Sequence, residues 1–314
     1  MKAVLLDADS LGTDIDLAPL REQLESLEVH PTSTPAEARE RLAGADVAIV
    51  NKVVLDADTL NALPSLRHIC VLATGTNNID MEVAKERGIR VDNVNAYGTA
   101  SVAQHTLMLI LALATRLPQY QRDVAEGRWG ESPFFCLMDH PTLQLEGKHL
   151  VLVGQGELGS KVAALAEAFG MRVSFSARPG NEANDRRPAL AELLPEADVV
   201  SLHCPLTEHS RHLLNADNLK TIKKGALLVN CARGGVIDEE AALAALREGQ
   251  LGGLAVDVLP AEPPRDGHAL IDAVNESPRL NLLVTPHSAW ITPEARQNIV
   301  KLTVDNLRNA AQEN

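Results

Sequence analysis

Short, wholly apolar runs recur along the chain, each followed by a stretch with helical spacing of apolar residues. The runs are "KAVLLDAD", "DVAIVN", "RHICVLATG", "HLVLVGQG", "DVVSLHCP", "ALLVNCARG" and "LNLLVTPH". A strand apolar on both faces is a strand covered on both faces, and helices between such strands supply the cover. The pattern predicts an α/β protein built from doubly wound parallel sheets. "SVAQHTLMLILALA" is the most apolar helix; it is too short and too polar at its start to cross a bilayer, and reads as a helix buried between domains. "MKAVLLDADS" reaches Asp7 after only a few apolar residues and reads as a first strand rather than a secretory signal.

A chain of 314 residues is long for a single core, so two domains are expected. The crossings fall around "NVNAYGTAS" and "SAWITPEA". Residues 1–98 with 288–314 would form one domain, flavodoxin-like, whose last helix packs back onto it. Residues 99–287 would form a Rossmann-type dinucleotide-binding domain, with a cleft between the two. No repeat or low-complexity segment interrupts this plan.

Composition narrows the partners. A net charge of −13 without a Lys/Arg cluster argues against a nucleic-acid surface. The cysteines Cys70, Cys136, Cys204 and Cys231 form no CxxC pair and no zinc-like spacing, which fits a reducing cytoplasm and no metal. Aromatic residues make up only 3%, so the cores rest on Ala, Val, Leu and Ile.

"LVLVGQGELG" brings a strand into a glycine turn and out into an Ala-rich helix. In that setting Gly154 allows the tight turn, Gly156 admits a pyrophosphate to the backbone, and Gly159 lets helix and strand pack closely. Glu157 and Leu158 open the helix, whose N-terminal N–H groups favour phosphate. The acid that would hold the adenosine ribose of NAD is missing: "SFSARPG" has Ala177 there, flanked by Ser176 and Arg178. Ala177 removes the repulsion of a 2′-phosphate. Ser176 is a candidate hydrogen-bond donor, and Arg178 can meet the phosphate or stack on adenine. Arg186 and Arg187 either assist or belong to a solvated loop. The cofactor expected is NAD(H) or NADP(H), with a lean to accepting NADP(H).

Charged residues stand just past three later strands. Arg233 follows "LLVNCA", where its fork suits a carboxylate, and Asp238 can cap the next helix. Asp257 closes "GLAVD", Glu262 sits in the Pro-rich loop after it, and His287 ends "LLVTPH". A His at a strand end with a carboxylate nearby suits proton donation to a carbonyl oxygen. Most of the other histidines read as ordinary: His105 as a residue of the buried helix, and His209, His212 and His268 as residues of polar loops or helix starts.

These motifs together, "VLVGQGELG", "SLHCPLTEHSRHLLN", "NCARGGVIDEEAAL", "AVDVLPAEPP" and "TPHSAW", resemble the D-isomer-specific 2-hydroxyacid dehydrogenase family over nearly the whole chain. The resemblance implies that Arg233 binds and polarises the substrate, that His287 is the acid/base, and that Glu262 orients His287 and favours its protonated form. It implies that Thr74, Gly75 and Thr76 offer N–H groups to the substrate carboxylate. Asp257 would hold the nicotinamide carboxamide, and His203, Cys204, Pro205, Cys231 and Ala232 would line the cofactor. "ATGTNNID", "VNKVVLD" and "FFCLMDHP" are similar to the glycerate dehydrogenase (hydroxypyruvate reductase) branch, with glyoxylate as a second substrate. Lys52 is either a substrate contact or a solvated lysine. Residues 129–141 look like a homodimer loop, in which Phe135 or Met138 either lines the partner's pocket or serves the interface alone. The alternatives are a dinucleotide-sensing scaffold without activity, or phosphite or another 2-hydroxy acid as substrate.

Overall fold

The computed structural model describes residues 1–312, and these divide into two compact units. The first runs from Met1 to Gly98 and resumes at Trp290; the second spans Thr99–Ala289.

The first unit holds β1 (Lys2–Leu5), β2 (Ser26–Val29), β3 (Val47–Val50), β4 (His68–Val71) and β5 (Arg90–Asn93). They form one sheet in the order β2-β1-β3-β4-β5, and every pairing is parallel. The central strands "VAIV" and "HICV" are buried at every position, the first as its unbroken apolar run requires and the second with His68 paired to Asp92 at 2.8 Å. One face packs on Ala38, Leu42, Leu60 and Ala84. The other packs on the helix Pro293–Gln312 through Ile299, Val300, Val304 and Leu307. The last helix therefore completes this unit although the whole second unit intervenes along the chain.

The second unit contains β6 (His149–Val153), β7 (Arg172–Phe175), β8 (Val199–Leu202), β9 (Ala226–Asn230), β10 (Leu251–Val256) and β11 (Leu282–Val284). Its sheet order is β11-β10-β9-β8-β6-β7, again wholly parallel. The helices Thr99–Thr115 and Glu157–Ala168 cover one face through Leu109, Ile110, Leu113, Val162 and Ala166. The most apolar helix is thus a core element of this unit. Leu243, Leu246, Leu219 and Leu270 fill the opposite face. Asp238 caps the Glu239–Arg247 helix by accepting the Ala241 N–H at 3.0 Å. Among the described residues no single helix is long and apolar enough to cross a membrane.

Each sheet reverses its strand order once, between β1 and β3 in the first unit and between β6 and β8 in the second. Crevices at such points, at the carboxyl ends of the strands, are where ligands bind in open α/β sheets.

Candidate active site

In the second unit, Arg233, Asp257, Glu262 and His287 all follow the carboxyl ends of three adjacent strands. The register sets Val256 opposite both Asn230 and Val284, so β9, β10 and β11 end level. Everything that follows these ends must emerge at one sheet edge.

His287 Nδ1 lies 2.6 Å from Glu262 Oε2. The other carboxylate oxygen accepts the Leu259 N–H at 2.7 Å, which fixes the plane of the acid. Against an anion, Nδ1 must carry the proton, and the ring's orientation is fixed. Among the described residues Nε2 has no hydrogen-bond partner, and the side chain is 37% exposed. His287 is held at φ 52, a left-handed backbone that a non-glycine residue adopts only under constraint.

That constraint comes from Asp257, which is 1% exposed. Its Oδ1 accepts the Thr285 hydroxyl at 2.5 Å and the Ser288 N–H at 2.9 Å, and its Oδ2 accepts the Ala289 N–H at 3.0 Å. Its backbone carbonyl accepts the His287 N–H at 2.8 Å. Asp257 therefore pins the turn that carries His287, a role the sequence did not suggest, and one acceptor position on Oδ2 remains.

Arg233 is exposed, with Nη1 donating to the Ala232 carbonyl at 2.7 Å. Its turn is braced by Asn230, fully buried, whose Nδ2 donates to the Arg233 carbonyl at 2.9 Å and whose Oδ1 accepts the Ala232 N–H at 3.0 Å. Asn230 went unnoticed in the sequence; its signal was a polar residue ending an otherwise apolar strand just before Arg-Gly-Gly. Gly234 rests on the backbone of Leu259 and Pro260, so closely that a Cβ there would overlap both. The Arg233 turn and the loop leading to Glu262 are thereby packed together.

The glycine turn sits at the β6/β8 reversal. Gly154 has φ 107, and a Cβ on it would meet the His203 carbonyl oxygen at 2.5 Å. A Cβ on Gly159 would strike the Gly154 carbonyl, whereas Gly156 faces open space. Gly156 is the N-cap of the Glu157–Ala168 helix and offers no side-chain cap. The Glu157 carboxylate instead accepts the Thr99 hydroxyl at 2.9 Å, and Leu158 is half-buried against the core. The first N–H groups of the helix are thus left for an anion. The surroundings fit a dinucleotide: an open cradle at Gly156, close backbone approach at Gly154, and the small, uncharged side chain of Ala177 just after β7.

Around that small residue the structure revises one expectation. Ser176 is 1% exposed and its hydroxyl donates to the Ala177 carbonyl at 3.2 Å, so it is turned inward and does not face an incoming phosphate. Ala177 itself is buried, its N–H held by the Pro188 carbonyl at 2.7 Å. Arg178 is exposed. Asp185 accepts the Arg178 N–H at 2.9 Å and grips Arg187, whose Nη1 reaches Gln155 Oε1 of the glycine turn at 3.1 Å. The Arg187 hydrogen bonds, foremost, hold the Asp185 carboxyl far below the usual carboxylate range. Arg187 is thus an anchored residue beside the glycine turn, whereas Arg186 is exposed.

His203, Cys204 and Pro205 follow β8. The His203 ring contacts Ser201 Oγ at 3.0 Å, its Nδ1 is buried without a partner, and burial pushes its pKa down to about 4. Cys204 is buried and Pro205 is exposed. Cys231 and Ala232, after β9, are buried. Burial raises the thiols of Cys204 to about 11 and Cys231 to about 12, so both are neutral.

Lys52, Thr74, Gly75 and Thr76 belong to the first unit. Lys52 is exposed, on a turn that Asp7 holds across the β1/β3 reversal: its carboxylate accepts the N–H groups of Asn51 at 2.8 Å, Lys52 at 2.7 Å and Val53 at 3.3 Å. Thr74–Thr76 follow β4, braced by the Thr74 hydroxyl on the Val94 carbonyl at 3.1 Å. Among the described residues no acceptor meets the N–H groups of Thr74, Gly75 and Thr76, three successive donors suited to an anion.

Comparison with known proteins supplies what geometry alone does not. Residues 107–289 match the family model described as D-isomer specific 2-hydroxyacid dehydrogenase, NAD binding domain. The chain belongs to that family. It is 41% identical over 98% of its length, and 95% of the relative's, to the glycerate dehydrogenase of Methylorubrum extorquens. To the hydroxypyruvate reductase of Blautia hydrogenotrophica it is 33% identical, covering 98% and 96% of the two chains. Among solved structures, the TT0316 protein of Thermus thermophilus matches at TM-score 0.83 and 35% identity over 100% of this chain and 97% of that one. This D-2-hydroxyacid dehydrogenase is accordingly an oxidoreductase acting on a CH–OH group with a nicotinamide dinucleotide.

Proposed function

We propose that the enzyme is a glycerate dehydrogenase working chiefly as a hydroxypyruvate reductase, with glyoxylate as a second substrate. The observation that carries the chemistry is the 2.6 Å contact of Glu262 with His287 Nδ1, which leaves Nε2 free at the edge where Arg233 emerges. The choice of acid is supported by likeness to the two relatives named glycerate dehydrogenase and hydroxypyruvate reductase.

A bound dihydronicotinamide supplies the hydride for the carbonyl carbon of the 2-oxo acid. His287 gives the proton on Nε2 to the carbonyl oxygen as charge grows there, and Glu262 stabilises the imidazolium and holds its direction. Arg233 takes the carboxylate and carbonyl oxygens in its fork, which orients the carbonyl carbon and offsets the developing negative charge. The N–H groups of Thr74, Gly75 and Thr76 serve the carboxylate, and Lys52 favours a small polar acid over a bulky one. The Gly156 cradle and the N–H groups of Glu157, Leu158 and Gly159 take the pyrophosphate. Asp257, through its remaining acceptor position, takes the carboxamide. His203, Cys204, Pro205, Cys231 and Ala232 line the ring and ribose. In this reading the second unit is the dinucleotide domain and the first the substrate domain.

NADP(H) is accepted beside NAD(H): no acid stands at Ala177 to repel a 2′-phosphate, Arg178 is exposed beside it, and Arg187 is anchored at the glycine turn. The enzyme functions as a homodimer through residues 129–141, where Phe134, Phe135 and Met138 are 66%, 91% and 77% exposed. Trp129, Val124 and Tyr120 line a groove beneath them. So much exposed apolar surface in one loop fits a partner surface. Four unpaired cysteines fit a cytoplasmic location.

The test is kcat/KM for hydroxypyruvate, glyoxylate and pyruvate, each with NADH and NADPH. Hydroxypyruvate is expected to lead. A marked preference for pyruvate or for a bulky 2-oxo acid overturns the assignment.

A further inference from the structure

His105 reads in the sequence as one apolar-helix residue among others. In the structure it lies within a hydrogen-bonded chain that ends at His287. Ser101 and His105 are four residues apart and share one face of the Thr99–Thr115 helix. The Ser101 hydroxyl donates to the Ala289 carbonyl at 2.6 Å. His105 Nε2 lies 3.1 Å from Thr285 Oγ1 and 3.5 Å from Asp257 Oδ1. The two contacts grip the turn Thr285–Ala289 at both ends.

The direction of the chain follows from counting protons. Thr285 has a single hydroxyl hydrogen, and the 2.5 Å contact with Asp257 Oδ1 consumes it, since a carboxylate only accepts. Thr285 Oγ1 is therefore an acceptor toward His105, and His105 Nε2 must be the donor. Asp257 passes the constraint on by accepting the N–H groups of Ser288 and Ala289 from its side chain and that of His287 from its backbone. A left-handed residue such as His287 persists only where its surroundings over-determine it, and this chain does so.

We propose that His105 is a positioning residue for catalysis: through Thr285 and Asp257 it locks the turn that aims His287 Nε2. This rests on the reading of His287 as proton donor. Loss of the lock leaves substrate binding in place and degrades the aim of the proton transfer, a step sensitive to displacements of an ångström.

The test is steady-state kinetics on the full-length enzyme with hydroxypyruvate and its better reduced dinucleotide. The variants are His105→Phe, His105→Gln, Thr285→Val, Thr285→Ser and His287→Ala. His105→Phe and Thr285→Val should each lower kcat about 10- to 100-fold. KM for the acid and the dinucleotide Kd, read by fluorescence titration, should stay within about two-fold. The D2O effect on kcat should rise as proton transfer becomes more limiting. Thr285→Ser, which keeps the hydroxyl, and His105→Gln, which keeps an N–H donor, should recover most of kcat. His105→Phe combined with Thr285→Val should be no worse than the poorer single, as members of one chain are not additive.

A Thr285→Ser enzyme as impaired as Thr285→Val, or a loss expressed in dinucleotide Kd, overturns the proposal. Should His105→Phe fail to fold, the isosteric Thr285 pair decides alone. His287→Ala separates the two ideas. If it retains turnover, the reading of His287 fails; if it loses turnover while the Thr285 variants keep theirs, only the positioning role fails.

Discussion

Glu262 holds His287 by one carboxylate oxygen, at 2.6 Å from Nδ1, and is itself held by the Leu259 N–H on the other, at 2.7 Å. The charge and the geometry of this pair can be separated by substitution. Glu262→Gln keeps an acceptor for Nδ1–H but removes the anion, whereas Glu262→Ala removes both. On the usual contribution of general acid catalysis, kcat should fall about 10-fold for the amide and at least about 100-fold for alanine. Equal losses in the two would show that charge contributes nothing and that only the hydrogen bond matters.

Gly234 makes a steric prediction. A methyl group there would overlap Leu259 and Pro260, so Gly234→Ala must push apart the turn bearing Arg233 and the loop bearing Glu262. Overpacking of this kind costs about 1–3 kcal/mol. The melting temperature should drop, and kcat/KM should fall more than it does for Gly44→Ala in the first unit, where the cost is the left-handed backbone at φ 80 and not a clash. A Gly234→Ala enzyme with unaltered kcat/KM would mean that the two loops tolerate separation.

Cofactor choice is tested at Arg178 and Arg187. Replacing either by Ala should lower kcat/KM with NADPH about 10-fold while changing the NADH value far less, because only the phosphate loses its charge-assisted partner. An unchanged NADPH/NADH ratio in both Arg variants would leave the 2′-phosphate without a specific site.

The apolar loop predicts an oligomeric state. Sedimentation or light scattering of the wild type should give a dimer, and Phe135→Asp with Met138→Asp should give monomers, since a charge at an apolar interface core is desolvated without a partner. Asp123, which is buried and takes hydrogen bonds from Arg128 at 2.6 Å and His140 at 2.7 Å, holds this loop together. Wild-type enzyme that is monomeric at micromolar concentration would remove the dimer proposal.

Acid sensitivity follows from His203. Burial lowers it from 6.5 to about 4, so the unfolded chain takes up a proton at a pH where the folded protein refuses it. The stability this group contributes is complete above about pH 6.5 and is lost as pH falls toward 4. His68 is shifted the same way, chiefly by burial, with Asp92 opposing. Melting temperature should therefore decline from pH 7 to pH 4.5, and His203→Phe should flatten that decline. A profile identical in the variant would place the acid sensitivity elsewhere.

The sequence by itself determined the class of fold and which residues follow the strand ends. Apolar runs such as "VAIV" and "HLVLV" can be satisfied only inside covered parallel sheets, and all parallel strands deliver their following residues to one edge. Arg233, Asp257 and His287 were therefore legible as residues of one sheet edge without a structure, and Gly154, Gly156 and Gly159 as a turn. Only the tertiary structure decided what each side chain touches. Ser176 lies next to Ala177 in the chain yet faces inward, because side-chain direction depends on loop dihedrals that no periodicity encodes. Asp257 bonds its own turn, Arg187 is clasped by Asp185 and reaches Gln155, and His105 meets a residue 180 positions away. Such pairings depend on where two segments of backbone come to rest in space, and spacing along the chain carries no information about that.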